Sequence, residues 1–172
     1  INITDETNHE LIDTELTKWF PNRNISRILL VNPPDSTAEM FRYDAAKRRR
    51  NSNYPPYGLL LLAQCLRSIS IEVEVISLNH EVLKKCNESD SIADFDHDKV
   101  WQACFDDKIS EFNPDIIGVT CMYTMTHNSF KNVCQYASKS NIPLAIGGVH
   151  TSNDVQRILE DIQCVAFAFL RE

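Results

Sequence analysis

Five short apolar runs, each bracketed by turn residues and separated by stretches of helical spacing, constrain this chain more than any other feature. They lie at 27–34 (RILLVNPP), 73–78 (VEVISL), 116–122 (IIGVTCM), 142–146 (IPLAI) and 164–170 (CVAFAFL). Runs that are continuous rather than alternating belong to strands covered on both faces, as in a parallel sheet. Between them, apolar residues recur at helical intervals. A helix over 55–68 carries Leu59 to Leu62, apolar nearly all round, which predicts deep burial. A helix over 98–112 aligns Trp101, Cys104, Phe105, Ile109 and Phe112, and Asn113-Pro114 end it. The next aligns Phe130, Val133, Cys134 and Ala137. The last aligns Val155, Ile158, Leu159 and Ile162, with Thr151 or Ser152 as its cap. This alternation predicts an α/β fold: a doubly wound, flavodoxin- or Rossmann-like sheet of five parallel strands, order 2-1-3-4-5, with helices on both faces. One domain spans 25–172. The prefix 1–24 is a helical extension, with Ile12, Leu16, Trp19 and Phe20 on one face and Pro21 past its end.

The most telling stretch for function is 142–152, IPLAIGGVHTS. A strand ends there in Gly147-Gly148, removing side chains where a ligand could approach the backbone. In an open parallel sheet, ligands bind outside the strands' carboxyl ends, at a topological switch point. That edge gathers Asn32 to Ser36, Thr120 to Thr126, Gly147 to Ser152 and Arg171-Glu172.

Composition narrows the classes. The chain has 172 residues, 43% hydrophobic and 24% charged, with 4 glycines and 7 prolines, enough for one globular core. A net charge of −7 argues against a nucleic-acid grip, which needs a basic face. No apolar run reaches membrane-spanning length and no signal-peptide pattern opens the chain, so a cytoplasmic location with no membrane partner is expected. The start at Ile1 and the stop after a strand-like run suggest a fragment of a longer protein. The six cysteines are widely spaced, without CxxC or CxxxCxxC, and read as buried, reduced thiols; Cys65, Cys104 and Cys134 fall on apolar helical sides.

The edge carries hydroxyls, amides and glycines but no catalyst. There is no GxGxxG after the first strand, no GxxxxGK[ST] and no GxSxG. A phospho-acceptor domain needs acids where this chain has Asn32-Pro33-Pro34 and Thr120-Cys121. His150, after the glycine pair, could contact a ligand, cap the next helix or face solvent. His127, in the first turn of a helix, and His80 read as structural or solvated, and no metal site is expected. The run Lys47-Arg48-Arg49-Arg50 sits in a long loop, 35–54, and could meet a phosphate or an acidic surface, though a solvated loop is the plainer reading. The stretch 80–97 reads as a flexible acidic loop rather than a cation site of Asp94, Asp96, His97 and Asp98.

RILLVNPP, YPPYGLLLLAQCLR, FNPDIIGVTCMYT and IPLAIGGVHTS occur in the order seen in the cobalamin (B12)-binding domain at the N-terminus of radical S-adenosylmethionine enzymes, which the chain resembles over about 25–172. The resemblance implies cobalamin as cofactor. It matches Gly147 and Gly148 to the glycines that leave room for the nucleotide tail, and His150, Thr151 and Ser152 to the polar positions after them. Thr120, Cys121, Met122, Tyr123 and Thr124 match the end of the third strand and its loop. Asn32, Pro33 and Pro34 match the loop near the corrin, and Tyr54 to Gly58 the start of the first helix. Two departures bear on mechanism. There is no DxHxxG motif, and no His between Asn32 and Pro56, so cobalamin is expected without that His ligand. There is no CxxxCxxC, so the [4Fe–4S] cluster and S-adenosylmethionine are expected only in a catalytic barrel outside this chain, in cis or in trans.

The resemblance thus implies a domain, inactive alone, that holds the corrinoid against a radical S-adenosylmethionine barrel of methyltransferase type. One alternative is a degenerate docking or substrate-recognition module without cofactor, its mouth covered by the polar loops at 35–53 and 80–98. Another is a flavodoxin-like domain that binds a different nucleotide.

Overall fold

The computed structural model describes residues 5–21 and 25–170. Its sheet is formed by β1 (Arg27–Asn32), β2 (Glu72–Ser77), β3 (Ile116–Thr120), β4 (Leu144–Gly147) and β5 (Phe167–Ala168), in the order β2-β1-β3-β4-β5. Every neighbouring pair is parallel. This is the expected order, with the switch between β1 and β3. The helices are α1 (Asp5–Trp19), α2 (Tyr43–Lys47), α3 (Tyr57–Ser68), α4 (Leu78–Glu88), α5 (His97–Phe112), α6 (His127–Ala137), α7 (Val149–Asn153) and α8 (Val155–Asp161). Among the described residues, no helix is long and apolar enough to cross a membrane.

Register divides the sheet into two unlike faces. Leu29, Val31, Ile117, Val119, Leu144 and Ile146 point to one side, beneath α4, α5, α6 and α8, which contribute Leu78, Val82, Trp101, Phe105, Phe130, Val133 and Ile158, joined by Ile162 just past α8. That layer holds the main core. On the other side α3 covers β1 and β2 through Leu59 and Ala63 on Leu30 and Val73. The end of α1 covers the amino half of β3 and β4: Leu16 and Phe20 pack on Ile116, Ala145 and Phe167, with Phe20 and Phe167 stacked at 6.0 Å. Of the predicted prefix face, Leu16 and Phe20 are used, whereas Ile12 is exposed; residues 1–4 and 22–24 of the prefix lie outside those described.

At the amino edge, Asn113 adopts a left-handed conformation (φ 46°) that stops α5. Asp115 then accepts hydrogen bonds from Ser26 N (2.7 Å), Ser26 Oγ (3.0 Å) and Arg27 N (2.8 Å), fixing where β1 begins beside β3.

Several expectations are corrected. α3 is a surface helix: Leu59 and Ala63 are buried, but Leu60, Leu61 and Leu62 are 43%, 68% and 46% exposed, because only one side of the helix meets the sheet. Cys65, on its outer side, is exposed too, while all six cysteines are free. The stretch 80–97 is not one loop: its first half belongs to α4, whose Val82, Leu83 and Cys86 are buried and whose cap is Ser77, accepting from His80 N. The loop 35–54 folds into turns and α2, and Lys47 donates to the carbonyls of Asn87 (3.0 Å) and Ser89 (2.6 Å), closing the end of α4. The last predicted helix is two, α7 and α8, broken at Asp154, so Thr151 and Ser152 lie inside α7 instead of capping a helix. The fifth strand is two residues long rather than seven, although Ala166 N and Phe169 N still donate to Leu144 O and Ile146 O, each at 2.8 Å.

Candidate functional site

On the face shared with α3, side chains shrink toward the carboxyl edge. The amino half carries Ile28, Ile116 and Ala145, covered by Phe20, whereas the carboxyl half carries Asn32, Ser77, Gly118, Thr120 and Gly147. Pairing places Gly118 beside Ala145 and Thr120 beside Gly147. Gly118, Thr120 and Gly147 stay partly open between α3 and β5, so they floor a shallow trough. Asn32 Nδ2 donates to Ser77 Oγ at 3.3 Å along its wall. A ring of exposed apolar side chains stands near its mouth: Tyr57 after β1, Met122, Tyr123 and Met125 after β3, Val149 after β4 and Phe169 after β5. Apolar exposure grouped at one edge marks a binding surface.

The two glycines serve different ends. A Cβ on Gly147 would meet nothing nearer than Phe169 O at 3.7 Å, an ordinary contact. Gly148 has φ +107°, and a Cβ there would stand 2.5 Å from Cys121 O and 2.9 Å from Thr120 Oγ1. Its missing side chain therefore admits the end of β3. The approach lets His150 N donate to Cys121 O at 3.1 Å and seats α7 on the edge, where Thr151 Oγ1 donates to Gly147 O (3.2 Å) and Ser152 N to Gly148 O (3.0 Å).

His150 neither caps a helix nor faces solvent; it is 4% exposed. Its Nδ1 is 3.2 Å from Thr124 Oγ1 and its Nε2 is 3.0 Å from Nδ1 of His127. His127 Nε2 lies 2.9 Å from Asp161 Oδ2, and Lys131 Nζ 2.5 Å from Asp161 Oδ1. Burial pushes the His150 pKa down, with His127 and Arg157 adding to this and Asp154 opposing it. Hydrogen bonds from Lys131 and then His127 hold Asp161 below the usual carboxylate range. Sequence reasoning set His127 aside and did not single out Asp161. Their partnership joins residues 23 and 34 positions apart, which no local pattern signals.

The other candidates divide. Asn32 and Thr120 are half-buried at the trough, while Met122, Tyr123 and Thr124 are exposed at the mouth. Cys121 is buried, and burial pushes its thiol pKa up, which leaves it a protonated neighbour of Thr126 rather than a nucleophile. Pro33 and Pro34 are buried, so their contribution is to turn the chain away from β1. Asp35 N donates to Asn79 Oδ1 (3.0 Å) and Asn79 Nδ2 donates to Asp35 Oδ2 (3.1 Å), a tie between the loop after β1 and the start of α4. Arg171-Glu172 lie outside the described residues.

Among the described residues, no three His, Cys, Asp or Glu side chains gather as a metal site. The acids around 94–98 have separate tasks. Asp94 accepts from Ser91, Asp96 caps α5 through Lys99 N, and Asp98 accepts from Trp101 Nε1 and lies 2.8 Å from His97 Nδ1. His80 is exposed, with Nδ1 3.0 Å from Asn53, in a cleft of about 430 Å³ between α2 and α4 that takes in no residue of the glycine edge.

The trough suits a large ligand that needs an open floor, amide and hydroxyl partners and an apolar rim, and a corrinoid with its nucleotide tail is such a ligand. The solved structure of a cobalamin-binding protein from Desulfitobacterium hafniense superposes with a TM-score of 0.51 at 14% identity, over 93% of this chain and 60% of that one. The likeness is one of fold, and the chain spans less than two thirds of that protein. The comparison with curated proteins finds no match. The family model described as the B12 binding domain matches residues 44–172, from α2 through the glycine edge to the end of the chain, though not β1 or Asn32-Pro33-Pro34. On that match, the chain belongs to the B12-binding domain family.

Proposed function

We propose that this chain is the cobalamin-carrying domain of a radical S-adenosylmethionine enzyme of methyltransferase type, with the cofactor unit spanning 25–172 and the helix before it a flanking extension. The observation that carries the cofactor reading is the trough, where register sets Gly118, Thr120 and Gly147 together on the open face of the sheet, beyond Ala145, which Phe20 covers. Gly147 leaves space along the floor for the nucleotide tail, while Leu30 Cδ2 stands 2.9 Å from where a Cβ on Gly118 would sit. Thr120, Asn32 and Ser77 offer hydroxyl and amide partners, and Tyr57, Met122, Tyr123 and Met125 shelter the corrin at the mouth. Cobalamin, when bound, supplies methyl-transfer chemistry, and this chain's residues bind it, orient it and exclude water. With no His between Asn32 and Pro56, cobalamin would be held without a His ligand from the loop after β1. The radical S-adenosylmethionine assignment rests on the order of the four sequence motifs, and the cluster and S-adenosylmethionine belong to a barrel in cis or in trans. We place the domain in the cytoplasm, in keeping with its six free thiols.

A second reading, a docking module that binds no cofactor, draws support from the exposed Leu60, Leu61 and Leu62 on α3. One experiment separates the two. Purified chain is mixed with hydroxocobalamin, passed over a desalting column and its visible spectrum recorded, alongside Gly147→Leu. Co-elution with a base-off spectrum, lost in a folded Gly147→Leu variant, supports the carrier. Colourless wild-type protein with an intact circular dichroism spectrum supports the docking module.

A further inference from the structure

The line of side chains at the open edge has a defined polarity. Ionised Asp161, held by Lys131, can only accept, so His127 donates to it from Nε2. Neutral His127 then offers Nδ1 as an acceptor, and His150 donates to it from Nε2. His150 Nδ1 is left to accept the hydroxyl proton of Thr124. In this state every nitrogen is satisfied and Thr124 turns its lone pairs to the mouth. An added proton can rest on either ring, with the same outcome at Thr124. On His127 it makes both nitrogens donors, so His150 Nε2 must accept, its proton moves to Nδ1, and Thr124 Oγ1 becomes the acceptor. The hydroxyl hydrogen of Thr124 is then free to point at a ligand.

We propose that Thr124, His150, His127 and Asp161 form one proton relay, in which a single proton taken up from solvent turns Thr124 from an acceptor into a donor at the ligand edge. The inference rests on the reading of this edge as the cofactor site and adds that capture of an acceptor oxygen there takes up a proton. The two rings sit in different surroundings. His150 is buried and faces Arg157 as well as Asp154, while partly exposed His127 faces Asp161 and, across it, Lys131. The imidazoles meet edge-on at 86° with centroids 5.2 Å apart, so one nitrogen of each ring reaches the other without stacking. The neighbouring Cys121 thiol bonds with Thr126 and stays outside the line.

The test uses the whole chain. In ¹⁵N-labelled protein, both imidazoles should carry their proton on Nε2 at alkaline pH and shift together in a shared titration, and in His127→Gln the remaining His150 should titrate at a different pH. Independent titration of the two rings, or a His150 proton on Nδ1 at alkaline pH, overturns the relay. Affinity for cyanocobalamin, which does not itself titrate near neutral pH, is then followed across that titration. It should rise up to about tenfold per pH unit as pH falls, and this dependence should vanish in Thr124→Val. Equal pH dependence in both proteins overturns the coupling. If no corrinoid is retained at any pH, the cofactor reading falls and the ring titration alone decides the relay.

Discussion

The carbonyl oxygen of Cys121 stands 2.5 Å from where a Cβ would sit on Gly148. At that distance, and with φ at +107°, Gly148→Ala requires backbone movement at the joint of β4 and α7. A loss of at least about 2 kcal/mol is expected in urea unfolding. Gly147→Ala, whose Cβ meets only an ordinary contact, should cost less than about 1 kcal/mol. Equal costs would show that α7 yields freely.

Leu59 and Leu61 are two residues apart on α3 yet differ in exposure, 9% against 68%. Leu59→Ala should cost about 2–4 kcal/mol and Leu61→Ala less than about 0.5 kcal/mol, read from urea midpoints of the isolated chain. A large cost at Leu61 would mean that the outer face of α3 is covered in solution.

These contrasts show where sequence reading succeeds and where it stops. β1 and β3 could be read because burial on both faces demands continuous apolar runs. α4 was missed because its buried Leu78, Val82, Leu83 and Cys86 are diluted by Asn79, His80, Lys84, Lys85, Asn87 and Glu88, although Ser77 at its cap was a usable signal. Four consecutive leucines cannot reveal which side of α3 meets the sheet, since the answer depends on what covers the other side. The glycine edge was read from residues 142–152, but the contact of His150 with His127 depends on how α6 and α7 settle beside β3 and β4.

Asp115 predicts a pH dependence of stability. Burial alone would raise its pKa, but the hydrogen bonds from Ser26 and Arg27 outweigh this and hold it below the ordinary carboxylate value. A depressed folded-state pKa contributes stability that is present above the unfolded value and lost as pH falls through the folded one. The melting temperature should therefore drop below about pH 4, and Asp115→Asn should be destabilised at neutral pH while losing part of that drop. An unchanged acid slope in the variant would assign the effect to other carboxylates.

Lys47 closes the end of α4 by donating to two carbonyls. Lys47→Met keeps most of the stem but not the ammonium, and should cost about 1 kcal/mol, with faster amide exchange confined to α4 and the turn after it. Uniform exchange across the sheet would contradict a local role.

The unequal faces of the sheet set an order of assembly. One side is sealed by the layer of α4, α5, α6 and α8, and the trough opens only on the other side and at the carboxyl edge. On the carrier reading proposed above, a bulky cofactor and the protein that uses it would arrive by the same approach, so loading would come before docking.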